Sequence, residues 1–135
     1  VELFVSVMKE LKEKGSSIIF SSHRMEHVEM FCEKLVVLVN GKSVLSGKIK
    51  DIKKKYRKKN IHIIGDVSKE ELETISGVLE VNKNEQELIV KIESEEYIND
   101  VFKKISKCKN ITKFSVEEPT LNEIFISKVG EAYEK

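Results

Sequence analysis

Apolar residues recur at helical spacing from the first residue of the chain. Val1, Leu3, Phe4, Val7, Met8 and Leu11 fall on one stripe, and Gly15 follows at a position where a helix ends in left-handed geometry. The stripe begins with no N-cap before it, so the chain is expected to be cut from a longer protein. Ile18-Ile19-Phe20 is a short apolar run that ends in Ser21-Ser22-His23, and it predicts a strand over about residues 17–21. Met25, Val28, Phe31 and Cys32 predict a second helix over about 24–33. Leu35 to Val39 is continuously apolar, as for a strand covered on both faces. Asn40-Gly41 predicts a type I′ hairpin turn, returning through Ser43-Val44-Leu45-Ser46. Ile49, Ile52 and Tyr56 line a basic helix, and a linker is expected near residues 57–59.

The remainder has a regular plan of its own. Residues 60–65 alternate like a half-buried strand. Ser68 and Glu71 form a capping box, with Val67 and Leu72 as a hydrophobic staple, and Gly77 stops the short helix. Strands are predicted at 78–81 and 87–92, joined by a turn at Asn82-Lys83-Asn84-Glu85. Ser94 is expected to cap a helix carrying Ile98, Val101, Phe102, Ile105 and Cys108 on one stripe. A last strand covers 111–116. The order βαββαβ is that of the ferredoxin-like α+β fold. A final helix follows, with Thr120 and Glu123 as a second capping box and Leu121, Ile124, Phe125 and Val129 as its apolar face.

Composition changes this picture little. The 135 residues are 40% hydrophobic and 35% charged, which suits a soluble globular chain with a modest core. No apolar run approaches the ~20 residues that span a bilayer, and no signal peptide is visible at the start of the chain. Cys32 and Cys108 have neither metal nor CxxC spacing, and read as reduced core residues of a cytosolic protein. The net charge of +1 hides a segregation: Lys48, Lys50, Lys53, Lys54, Lys55, Arg57, Lys58 and Lys59 face only Asp51 between residues 48 and 59. Three readings of that run are a solvated linker helix, contact with anionic lipid headgroups, and nucleic-acid binding. The first is favoured. An RNA-recognition module would stack bases on aromatic residues of its central strands, and Glu87 to Ile92 has none.

His23 is the residue with most chemical promise. Alone, a His at a strand-to-helix corner is weak evidence. Its setting is more specific: helix, Gly, strand, Ser22-His23, helix, apolar strand and Asn-Gly hairpin resemble, in order and spacing, the segment of ABC-transporter ATPases that carries the switch histidine. Glu117-Glu118-Pro119-Thr120-Leu121-Asn122-Glu123-Ile124-Phe125 also resembles the closing segment of C-terminal domains on export-type members. The resemblance implies three regions. Residues 1–47 would be the C-terminal piece of a P-loop nucleotide-binding domain, an α/β remnant; 48–59 a basic connector; and 60–135 a ferredoxin-like accessory domain.

It further implies that His23 senses the γ-phosphate in the intact parent, which would use ATP and Mg and couple hydrolysis to export of sodium, a drug or an antibiotic. Implied partners are a transmembrane permease subunit and a second ATP-binding subunit, with no nucleic acid, on the inner face of the cell membrane in the cytoplasm. Gly41-Lys42-Ser43 ends like a P-loop, but position 36 is Val rather than Gly and a strand, not a helix, is expected after Ser43. The chain contains no P-loop, no family signature and no acidic strand end, so by itself it is expected to be inactive toward ATP and to hold no cofactor or metal tightly. Uncovered apolar faces in residues 1–47 predict self-association. The competing reading is a non-catalytic regulatory or dimerisation module.

Overall fold

The computed structural model describes residues 2–134 and divides into two compact units, one of residues 1–53 with 120–135 and one of residues 54–119. The chain therefore leaves the first unit after Lys53 and returns to it at Thr120. Residues 120–135, which the sequence groups with the region 60–135, cluster here with residues of the first unit.

In the first unit, α1 (Glu2–Glu13) closes on a Schellman motif. Gly15 has φ +82°, its N–H donates to the Lys12 carbonyl, and the Ser16 N–H reaches back to the Leu11 carbonyl. No regular strand forms at 17–21. A strand needs a neighbour to take its backbone hydrogen bonds, and the only sheet among the described residues of this unit pairs β1 (Lys34–Val39) with β2 (Lys42–Lys48). Ile19 is accordingly 98% exposed.

Asn40 (φ 50°) and Gly41 (φ 75°) form the two-residue turn between these strands, as their positive φ preference dictates. β1 buries Leu35 and Val37 on one face. Val36 and Leu38 point the other way and are 62% and 67% exposed, so the strand is covered on one side only. The helices α2 (Met25–Phe31), α3 (Ile49–Lys55) and α6 (Leu121–Tyr133) contribute Met25, Val28, Ile49 and Leu121 to the same small core.

The second unit carries a four-stranded sheet made of β3 (Lys59–Asp66), β4 (Val78–Asn84), β5 (Glu87–Ile92) and β6 (Lys109–Glu117). The spatial order is β4-β5-β3-β6 with every neighbour antiparallel, which is compatible with a ferredoxin-like domain. Helices α4 (Lys69–Glu73) and α5 (Ile98–Ile105) supply Leu72, Val101 and Ile105 to a core with Ile61, Ile63, Val90 and Ile92. Burying each such side chain is worth ~1.5–3 kcal/mol. The capping box at Ser68 and Glu71 forms with both of its hydrogen bonds.

Three local details depart from the sequence expectation. The hairpin turns at Glu85-Gln86, because Asn84 pairs with Glu87 and Glu85 takes the positive φ. Ser94 makes no side-chain cap; a 3-10 turn over Glu95–Tyr97 precedes α5 instead. Lys59 belongs to β3 and is buried, its ammonium 3.7 Å from Glu95 and 3.4 Å from the Tyr56 carbonyl, so the expected linker is partly strand. Gly77 (φ +81°) faces the Tyr97 ring so closely that a Cβ there would lie 2.2 Å from it.

Candidate functional site

His23 sits in the irregular segment that enters α2. Two features anchor the segment. Upstream, Phe20 packs in an aromatic cluster with Phe4 and Phe31, with ring centroids 6.1 and 5.7 Å away, and Phe4 meets Phe31 edge-on at 5.1 Å. Downstream, Met25 and Val28 are buried. Between them the Arg24 N–H donates to Ser22 Oγ at 3.0 Å, and the Arg24 carbonyl accepts from His27 and Val28 to start the helix. His23 itself is exposed. A fixed backbone with a free imidazole at a helix entrance can present a ring nitrogen to an incoming anion or water.

α2 is held from behind by Glu29. One carboxylate oxygen takes the Lys53 ammonium at 2.5 Å, and the other accepts from the Leu121 N–H at 3.5 Å, at the first turn of α6. Leu121 offers an amide with no partner inside its own helix, and a carboxylate there also suits the helix dipole. Glu26, Glu29 and Met30 of α2 line an open groove of about 440 Å³ with Thr120 and Asn122. Thr120 and Glu123 form the second capping box as expected.

The sequence marks Glu29, with Glu26, only as a glutamate of the helix after His23, with no role assigned. A half-exposed Glu in a charged helix carries no signal by itself, since its partners lie 24 and 92 residues away.

The sequence reading also passed over His62, in the other unit. It lies on the face of β3 opposite the core, with Nδ1 3.1 Å from Glu87 and Nε2 2.9 Å from Glu117. The Lys113 ammonium meets the same Glu87 oxygen at 2.7 Å. The Lys113 hydrogen bond, aided by that of His62, holds the Glu87 carboxyl below the usual carboxylate range, and Glu87 in turn raises Lys113. Strand alternation could have found this cluster, because His62 falls among Ile61 and Ile63 on the opposite face and pairs in register with Ile89 and Ser115.

Gly41-Lys42-Ser43 lies in the β1–β2 hairpin and is not a phosphate loop. Cys32 and Cys108 are free and half-buried, and burial pushes the Cys32 thiol up. No helix among the described residues is long and apolar enough to cross a membrane.

A family model described as ATP-binding protein DrrA1-3-like, C-terminal domain, matches residues 47–129. The chain belongs to this family of ABC transporter ATP-binding proteins. It is 40% identical over 132 residues to an uncharacterized ABC transporter ATP-binding protein of Alkalihalophilus pseudofirmus, covering 98% of this chain and 49% of that protein. It is 42% identical over 134 residues to YhaQ of Bacillus subtilis, likewise an uncharacterized ABC transporter ATP-binding protein, covering 99% and 45%. A more distant relative, at 22% identity over 135 residues, is the linearmycin resistance ATP-binding protein LnrL of Bacillus subtilis, with 93% and 43% covered. The chain thus spans about half the length of the curated relatives it matches.

Proposed function

We propose that this chain is the C-terminal half of the ATP-binding subunit of an export-type ABC transporter. His23 acts in the assembled subunit as the switch histidine beside the nucleotide γ-phosphate. The observation that carries this reading is similarity at 40–42% identity along nearly the whole chain to ABC transporter ATP-binding proteins about twice as long. An exposed His at an anchored helix entrance supports the residue assignment. A phosphoryl-transfer site needs donors aimed at developing negative charge and at the attacking water, and one ring nitrogen of His23 is free to serve as such a donor.

In this reading residues 1–47 are the remnant of a P-loop nucleotide-binding fold, and the P-loop, signature and acidic strand end that would hold ATP and Mg belong to the part of the subunit outside this chain. A bound Mg would supply positive charge to offset the negative charge of the phosphate oxygens. Residues 48–59 connect to the accessory unit. The subunit works as a dimer beneath a membrane permease, on the cytoplasmic face. The name of the linearmycin resistance relative favours a drug or antibiotic over sodium as cargo. The complete core of residues 54–119 supports a regulatory or dimerisation role for that unit within the same protein.

Calorimetry with ATP tests the division of labour. The isolated chain gives no saturable micromolar binding, because it lacks the amides and Lys that cradle the phosphates, whereas the full-length subunit binds. Micromolar binding by the isolated chain would overturn the reading.

A further inference from the structure

The second compact unit is inserted into the first: the chain departs after Lys53 and returns at Thr120. Lys53 and Leu121 flank this insertion, and both are held by one side chain, Glu29 of α2. The Lys53–Glu29 pair is largely shielded, with side chains 21% and 34% exposed, so salt screens it less than a surface pair. The Leu121 contact places the carboxylate at the N-terminus of α6, a helix of 13 residues. Behind this clamp, Met25 and Val28 of α2 share a core with Leu121, and Phe125 and Val129 pack against it. Six residues before Glu29, across α2, stands His23.

We propose that Glu29 is a positioning residue for His23: it fastens both chain connections of the inserted unit to the helix that sets the placement of His23. The assignment of the clamp to His23 rests on the switch-histidine reading above; the clamp itself rests on the structure. α2 has only seven residues and no side-chain cap at Arg24. So short a helix is marginal without tertiary support. Two buried apolar residues hold one of its faces, and the Glu29 carboxylate supplies the directional restraint. Loss of that carboxylate frees α2 to shift and moves the backbone at His23, without removing any group that touches nucleotide.

The test has two arms. In the chain as it stands, hydrogen exchange is compared for wild type, Glu29→Gln, Glu29→Asp and Lys53→Gln. Glu29→Gln accelerates exchange of the Val28 amide in α2, the Cys32 amide at its C-cap and the Ile124 amide in α6 together. Lys53→Gln reproduces the effect in α2, and Glu29→Asp preserves protection. In the full-length subunit, Glu29→Gln lowers kcat about tenfold while KM for ATP stays within about twofold, and Glu29→Asp restores most of the rate, as expected of a coupling residue that contacts neither ligand.

Unchanged exchange in α2, or a Glu29→Gln effect on KM alone, overturns the proposal. His23→Ala measured alongside separates the two claims. Unchanged turnover in His23→Ala defeats the switch reading. Lost turnover in His23→Ala with full turnover in Glu29→Gln defeats the positioning role alone.

Discussion

Single residues in this chain act through partners far away in sequence. Glu87 is the clearest case in the sheet unit, held between His62 of β3 and Lys113 of β6. Its carboxyl lies below the usual range, first because of the Lys113 hydrogen bond. A depressed carboxylate contributes stability that is present above its unfolded pKa and lost as pH falls through its folded value. Urea midpoints should therefore fall on acidification, and Lys113→Ala should flatten that fall while lowering stability near neutrality. A Lys113→Ala variant with the wild-type acid slope would show that Glu87 is not the group responsible. His23 differs from Glu87 in kind. Its backbone is fixed by Phe20, Arg24 and Met25, and its ring is left exposed.

At the scale of elements, what the sequence disclosed was whatever local chemistry decides. Asn40-Gly41 turns the first hairpin because both residues tolerate positive φ. The Ser68–Glu71 and Thr120–Glu123 capping boxes form because both partners lie within one turn. The alternation of β3 was readable because Ile61 and Ile63 need one face buried. What failed was whatever depends on distant neighbours. Residues 17–21 read as a strand, yet among the described residues no strand lies beside them to complete the hydrogen bonds. Val36 and Leu38 read as covered, yet among the described residues they stay exposed. The turn after β4 was set by the pairing of Asn84 with Glu87, which polar composition does not encode. The order of surrounding elements singles out His23 from the sequence, whereas the contacts of Glu29 leave no local signal, since its two partners come from opposite ends of the insertion.

The two caps give an element-scale prediction. Thr120→Ala and Ser68→Ala should each cost ~1 kcal/mol, but in different units. Thr120→Ala destabilises the unit that holds α6, and Ser68→Ala the sheet unit. Hydrogen exchange read at Leu35 to Val39 and at Ile61 to Ile63 separates the two. Equal loss at both sites from either variant would contradict the division.

The two units differ in how far their apolar residues are covered. Residues 54–119 surround a closed core. The first unit leaves Leu3, Ile19, Val36 and Leu38 exposed, with a two-stranded sheet whose outer edges are open. Two-stranded sheets are marginal, and exposed apolar faces and strand edges attract further copies. Light scattering should therefore find the full chain associating as its concentration rises and residues 54–119 alone remaining monomeric. A strictly monomeric full chain would contradict that.

The switch role proposed for His23 belongs to a full-length subunit, for which relatives about twice as long as this chain are the guide. The most direct measurement is ATP turnover and ATP affinity of the full-length subunit carrying His23→Ala. If His23 acts as proposed on the transferring phosphoryl group, turnover is almost completely lost with affinity largely retained, because ground-state contacts to the phosphates come from other groups. Turnover equal to wild type would contradict it.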